Sequence, residues 1–161
     1  MKPRGEITTR SALDGPALEV WRWATSPEGV NFELGPLLRM SVPAGFSGEL
    51  EEVAPGERLG RSWLRLFGIV PIDYDDLSIV RVDPGRAFLE RSTMLSHRVW
   101  EHERTVDPLP SGCVVTDRIA FVPRLGAPAR VSRPVLAAVF RHRHARLRGR
   151  FGGRDLGQRA T

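Results

Sequence analysis

Residues 86–123 decide the reading of this chain: Arg86-Ala-Phe88-Leu-Glu90-Arg-Ser92-Thr-Met94-Leu-Ser-His97-Arg-Val-Trp100-Glu-His102-Glu-Arg104-Thr-Val106-Asp107-Pro-Leu-Pro-Ser-Gly112-Cys113-Val-Val-Thr-Asp117-Arg-Ile119-Ala-Phe121-Val-Pro123. Three extended runs are separated by turn residues, which predicts a meander of antiparallel strands. Side chains alternate faces along a strand. Trp100, His102, Arg104 and Val106 therefore share one face of the middle strand, with Val99, Glu101, Glu103 and Thr105 on the other. Phe88, Glu90, Ser92 and Met94 align on the first strand, and Asp117, Ile119 and Phe121 on the last. With these aromatic-bearing faces turned inward, the sheet presents a concave surface mixing rings with a few ionisable groups. That is the composition of a ligand pocket.

Working outward from this unit, Glu6 to Ala12 reads as a strand. Asp14-Gly15-Pro16 and Ser26-Pro27-Glu28 then read as two helix starts, giving two short helices in tandem that end at Gly35-Pro36. Leu37 to Val42 is a candidate strand, Glu49 to Val53 a short acidic segment and Leu59 to Val70 a clear strand. Periodicity leaves open which face of the last is inner, so Trp63 and Phe67 stand as candidate pocket residues. Pro71 to Asp76 reads as an acidic loop and Leu77 to Val82 as a strand, closed by Asp83-Pro84-Gly85. Gly126-Ala127-Pro128 is a connector, and Ser132-Arg133-Pro134 the cap of a long helix. Val135, Leu136, Val139, Phe140 and Leu147 form its apolar stripe, extended by Phe151.

The order predicts an α+β chain: a curved antiparallel sheet wrapped around a long C-terminal helix, with two short helices after the first strand. Residues 1–151 make one domain, and 152–161 are expected to be a flexible tail.

The 161 residues suit one domain, and 41% hydrophobic content is ordinary for a globular protein. Cys113 is the only cysteine, so no internal disulfide forms; in an apolar strand it is expected to pack. No run reaches the roughly 20 apolar residues that span a bilayer, and the N-terminus lacks a signal-peptide core, so a cytoplasmic protein is the expectation. The net charge is +5, and Lys2 is the only lysine. The run Arg141 to Arg150 is read as the polar face and end of a packed helix, with no nucleic-acid partner expected, because Leu147 and Phe151 interrupt it at core spacing.

The pattern Phe88-x-Glu90, Trp100-x-His102, Asp117-x-Ile119-x-Phe121-x-Pro123 and Val139-Phe140-Arg141-His142-Arg143 resembles the START-like, or SRPBCC, superfamily. It is most similar to a bacterial branch of ligand-binding or cell-division-inhibitor-like proteins. The resemblance covers Asp14 to Phe151 and implies a helix-grip fold with a cavity for an apolar or amphipathic small molecule; some members are polyketide cyclases or aromatases. Arg104 and Phe121 stand where a second histidine and a tyrosine are expected, so roles needing those groups do not carry over.

The candidate ligand-binding residues are Glu90, Trp100, His102, Arg104, Asp117, Phe121, Trp63, Phe67 and Val139. For catalysis the candidates are His102 as a proton shuttle and Arg104 as an anion holder. Three readings are open: a buried ion network that fixes strand register, ligand contact without chemistry, or an enzyme of the cyclase, aromatase or dehydratase type. A regulatory module with a structural cavity is a further alternative. No metal or cofactor is expected, since His102, Glu90 and Asp117 match no known ligand spacing. The expected partner is a small hydrophobic ligand, and the expected state a monomer or homodimer.

Overall fold

The computed structural model describes residues 5–124 and 128–161. Its strands are β1 (Gly5–Leu13), β2 (Leu38–Met40), β3 (Glu57–Leu66), β4 (Val70–Asp83), β5 (Ala87–Met94), β6 (His97–Pro108), β7 (Cys113–Pro123) and β8 (Gly153–Ala160). They form one antiparallel sheet in the order β2-β3-β4-β5-β6-β7-β1-β8. Helices α1 (Ala17–Ala24) and α2 (Pro27–Leu34) follow β1, and α3 (Pro128–Phe151) lies in the concavity of the sheet. This is the α+β helix-grip arrangement.

Alternation decides which face is inner. Along β6 the even positions Trp100, His102, Arg104 and Val106 are buried. The odd positions carry charge on the outer face: Glu101 pairs with Arg91 at 3.0 Å and Glu103 with Arg81 at 2.7 Å. Such exposed pairs add little stability; they keep the convex side wet. Ser26 caps α2, accepting from Gly29 N at 3.0 Å, with Pro27 at the first helical position. Pro16, with no side-chain cap, occupies the corresponding position of α1 where Asp14 is expected to cap.

Four expectations are corrected. The strand read over Leu59 to Val70 ends at Leu66. The chain reverses through Phe67 (φ 52°) and Gly68 (φ 74°), both left-handed. The acidic loop over Pro71 to Asp76 is instead part of β4, because its carboxylates have partners on neighbouring elements: Asp73 meets Ser96, and Asp76 meets Arg58 at 2.7 Å. The helix starts at Pro128, a turn before the Ser132 cap, since proline suits a first helical position; Pro134 lies within it on an exposed side. The connector residues Gly126 and Ala127 lie outside the described residues.

The fourth correction concerns residues 152–161, which are not a loose tail. Gly152 (φ 74°) and Gly153 (φ 125°) turn the chain out of α3, and β8 pairs with β1 from Ile7↔Ala160 to Leu13↔Gly153. A β-carbon on Gly153 would lie 1.9 Å from Ala12 O, so only glycine permits the approach. The physical reason for the strand is the otherwise free edge of β1, whose unpaired amides and carbonyls bind any extended segment that reaches them.

The core is divided. One apolar cluster holds Leu13, Val20, Trp21, Leu59, Phe88, Val106, Val115 and Leu147. Another holds Ile7, Met94, Trp100, Ile119, Phe121 and Phe140. On each element shared by the two clusters a buried polar residue separates them: Ser11 on β1, Glu90 on β5, Arg104 on β6, Asp117 on β7 and His144 on α3.

Removal of residues 153–161 is expected to lower the urea midpoint and produce concentration-dependent association through the bared β1 edge. Light scattering and equilibrium unfolding of the truncated chain check this; an unchanged, monodisperse protein would refute it.

Candidate ligand cavity and its ionic floor

Arg104 is the centre of the polar layer. Its Nη1 and Nη2 donate to Glu33 Oε1 and Oε2 at 2.7 and 2.9 Å, a bidentate fork. Its Nε and Nη2 donate to Asp117 Oδ1 and Oδ2 at 2.7 and 2.6 Å. Glu33 also accepts from Arg143 Nε at 2.9 Å. Asp117 contacts His144 Nε2 at 2.9 Å and His102 Nε2 at 2.7 Å. The other nitrogen of His102 faces Glu90 Oε2 at 3.8 Å, and Glu90 accepts from Ser92 Oγ at 2.9 Å. The chain ends at Asp75, hydrogen-bonded to Glu90.

The electrostatics follow. Burial works to raise the Asp117 carboxyl, but the guanidinium of Arg104 and the ring of His102 hold it well below the usual range. Glu33 is likewise lowered against its burial by Arg104 and Arg143. Burial pushes His102 down, yet Asp117 and Glu90 overcome it and raise the imidazole above its ordinary value. Asp75 goes the other way: burial and then the charge of Glu90 raise it well above an ordinary aspartate. Of this pair Asp75 is thus pushed toward the protonated form and Glu90 toward the ionised form. Glu33, Asp117 and Glu90 face Arg104, Arg143 and His102. Burial also pushes the Cys113 thiol up to about 11, consistent with a packed, unreactive side chain.

Between this layer, β2–β5 and α3 lies a cavity of about 280 Å³. Its wall is mainly apolar, with Leu38, Leu64, Ile79, Met94, Leu136 and Phe140 among the contributors. Of the sequence-derived candidates, Glu90, Trp100, His102 and Val139 line it. Arg104 and Asp117 do not. They sit behind His102 with no exposed surface, because both are saturated by the ion network. Phe121 also lies off the cavity, its ring packed against Gly5, where a β-carbon would come within 2.4 Å of the ring. Trp63 and Phe67 point to solvent at 38% and 63% exposure; the hairpin turn begins at Phe67, and Ser62 is the inner residue beside Trp63.

His102 has both nitrogens facing carboxylates, and its ring stands edge-on between Phe88 and Phe140 at 5.2 and 5.4 Å. It is held in one orientation. Sequence reasoning missed Glu33, whose only signal was a carboxylate on the buried face of a short helix. It also missed Asp75, assigned to a loop, and His97, which strict alternation puts on the outer face with Val99 and Glu101. A register shift between His97 and Val99 puts one extra residue into β6, so His97 turns inward beside Trp100. Among the described residues, no group of three or more His, Cys, Asp or Glu side chains is arranged to hold a metal ion, and no helix is long and apolar enough to cross a membrane.

The basic run on α3 is largely engaged internally. Arg146 stacks on Phe32 at 4.1 Å and Arg150 on Trp23 at 3.6 Å, while Arg148 donates to Ser11 at 2.8 Å.

A sheet gripping a terminal helix over an interior cavity is the helix-grip fold, the fold of START-like proteins. Solved structures agree. A START superfamily protein from Mycobacterium smegmatis superposes with a TM-score of 0.68 at 11% identity, over 91% of this chain and 97% of that one. The Zhui aromatase/cyclase from Streptomyces sp. R1128 gives 0.59 at 16% identity, over 90% and 92%. DynU16, a putative protein in the dynemicin biosynthetic locus, gives 0.61 at 20% identity over 92% of this chain, which spans 48% of DynU16. At these identities the likeness is one of fold. No curated protein matches the sequence. Residues 11–151 match the model of the domain of unknown function DUF8410, and the chain belongs to that family.

Two outcomes are expected. Arg104→Met leaves Glu33 and Asp117 buried with too little positive charge and should cost about 3–5 kcal/mol in urea unfolding; a loss below about 1 kcal/mol would mean that Arg143 and the histidines re-pair them. Asp75 carries the opposite sign. Its folded carboxyl is raised above its unfolded value, so above about pH 4 folding must take up a proton there, and the penalty grows as pH rises toward the folded value. Asp75→Asn should therefore melt higher than the parent at about pH 8, with the difference closing near pH 4. A constant difference across that range would count against a raised Asp75 carboxyl.

Proposed function

We propose that this protein binds a small apolar or amphipathic molecule in the cavity between the sheet and α3. The observation that carries the reading is the cavity of about 280 Å³, apolar over most of its wall and bearing Glu90, His102, Asp75 and Arg143 at one side. An apolar pocket with a few convergent polar groups is the usual form of a small-molecule site. Likeness to START and aromatase/cyclase folds is compatible with a lipid-like or polyketide-like ligand.

The same geometry favours binding over a cyclase-type reaction run by His102 and Arg104. A general base needs a nitrogen within reach of the substrate proton. Both nitrogens of His102 face carboxylates, and Arg104 has no surface toward the cavity. His102 and Arg104 act in this reading as positioning groups, holding Glu90 and the inner face of β6. A purely regulatory module has no comparable observation in its favour.

Native mass spectrometry of the gently purified protein, followed by organic extraction, tests the reading. The expected result is an adduct of a few hundred daltons that is absent from Val139→Trp, which fills the cavity. A clean apo mass, together with no displaceable binding of anilinonaphthalene sulfonate, would overturn it.

A further inference from the structure

Arg143 is buried, at 8% exposure, and lines the cavity. A guanidinium carries donors on Nε, Nη1 and Nη2. The Nε of Arg143 donates to Glu33 Oε2 at 2.9 Å. Among the described residues neither of its Nη atoms has a hydrogen-bond partner, yet both keep accessible surface. Arg104 is the contrast: it spends Nε and both Nη on carboxylates and has no surface left. Donors of a charged group held this deep are costly to leave unmatched, and folded proteins leave few of them.

The packing gives the direction of these donors. Val135, Leu136, Val139, Phe140 and Arg143 line the cavity from one face of α3. A helical side chain leans back toward the N-terminus of its helix. Arg143 does so, its Cζ lying 5.0 Å from the centre of the Phe140 ring, which is itself cavity wall. Glu33 holds the Nε edge from α2. The guanidinium is thus fixed between α2 and Phe140, and its Nη end is the part left for the cavity.

The charge is also left over. Glu33 is already the bidentate partner of Arg104, so Arg143 holds only a share of that carboxylate. The carboxylates that line the cavity are engaged elsewhere. Glu90 meets His102 and Ser92, Asp73 meets Ser96 and Tyr74 N, and burial pushes Asp75 toward its protonated form. The planar Nη end of a guanidinium matches a planar carboxylate, donating in parallel to its oxygens.

We propose that Arg143 anchors the carboxylate of an apolar monocarboxylic acid in the cavity, with Nη1 and Nη2 donating to the ligand oxygens. This rests on the cavity-binding reading above and names the class of its ligand.

The test is titration calorimetry of the full chain at about pH 7 with 2-naphthoate, 2-naphthamide, naphthalene and 2-naphthylmethylamine. Naphthoate should bind about 10-fold or more tighter than naphthamide, which has the same shape without the charge. Arg143→Gln should bring that ratio below about 3-fold, and Arg143→Lys, which keeps the charge and loses the fork, should give an intermediate ratio. The ratio is taken within each variant, so a general change in cavity affinity cancels. Carbon NMR of carboxyl-labelled naphthoate on the parent needs no variant to fold. The bound acid should titrate at lower pH than the free acid, because the guanidinium holds the ionised form. Equal binding of acid and amide, a preference that survives Arg143→Gln, a bound carboxyl that titrates no lower than the free one, or tighter binding of the amine would each overturn the anchor while the cavity reading stands. Failure of every probe to bind would overturn the cavity reading, and the anchor with it.

Discussion

The Arg104 guanidinium, buried between Glu33 and Asp117, is the constraint on which the rest of the structure depends. Its cost is set by desolvation: charges this deep are unfavourable unless every donor and acceptor is matched. The match here draws on both α2 and α3 and on the sheet. Glu33 comes from α2, Asp117 from β7, and Arg143 and His144 from α3. An apolar core of the same volume would hold the layers at least as firmly. What the ions add is direction. A guanidinium fork donates to carboxylates in its own plane, so α2 cannot slide along the sheet without leaving a buried charge unpaired.

That fixed layer has consequences at the cavity. It splits the apolar core and leaves His102 and Glu90 on its cavity side, both immobilised from behind. The raised Asp75 carboxyl beside Glu90 is the last step of the same chain of charge interactions. Fold and site are thus one electrostatic object, and a residue such as Arg104 influences the cavity wall without touching it. This is why the presence of a histidine and an arginine on one strand face does not by itself make a catalytic pair.

Much of the fold was legible in the sequence because its signals are local. Strand alternation in β5, β6 and β7, the two short helices with the Ser26 cap of the second, and the long terminal helix are short-range patterns, and each was read correctly in kind; the cap expected from Asp14 on the first was not. The misreadings were also physical. Asp73 and Asp75 look like loop residues until their partners on β5 and in the β5–β6 turn are known. Residues 153–160 carry no strand pattern of their own and become β8 only because β1 offers an edge. One inserted residue near the start of β6 reverses the face of His97, and no periodicity shows a bulge.

For the site, the sequence by itself determined which ionisable residues lie on the inner faces: Glu90, His102, Arg104 and Asp117, since alternation is a property of the backbone. Only the tertiary structure decided what each one does. Arg104 meets Glu33 across 71 residues of chain, and that contact turns it from a cavity residue into a structural one. Ion pairing is long-range in sequence and short-range in space, so the identity of a partner is fixed by packing alone.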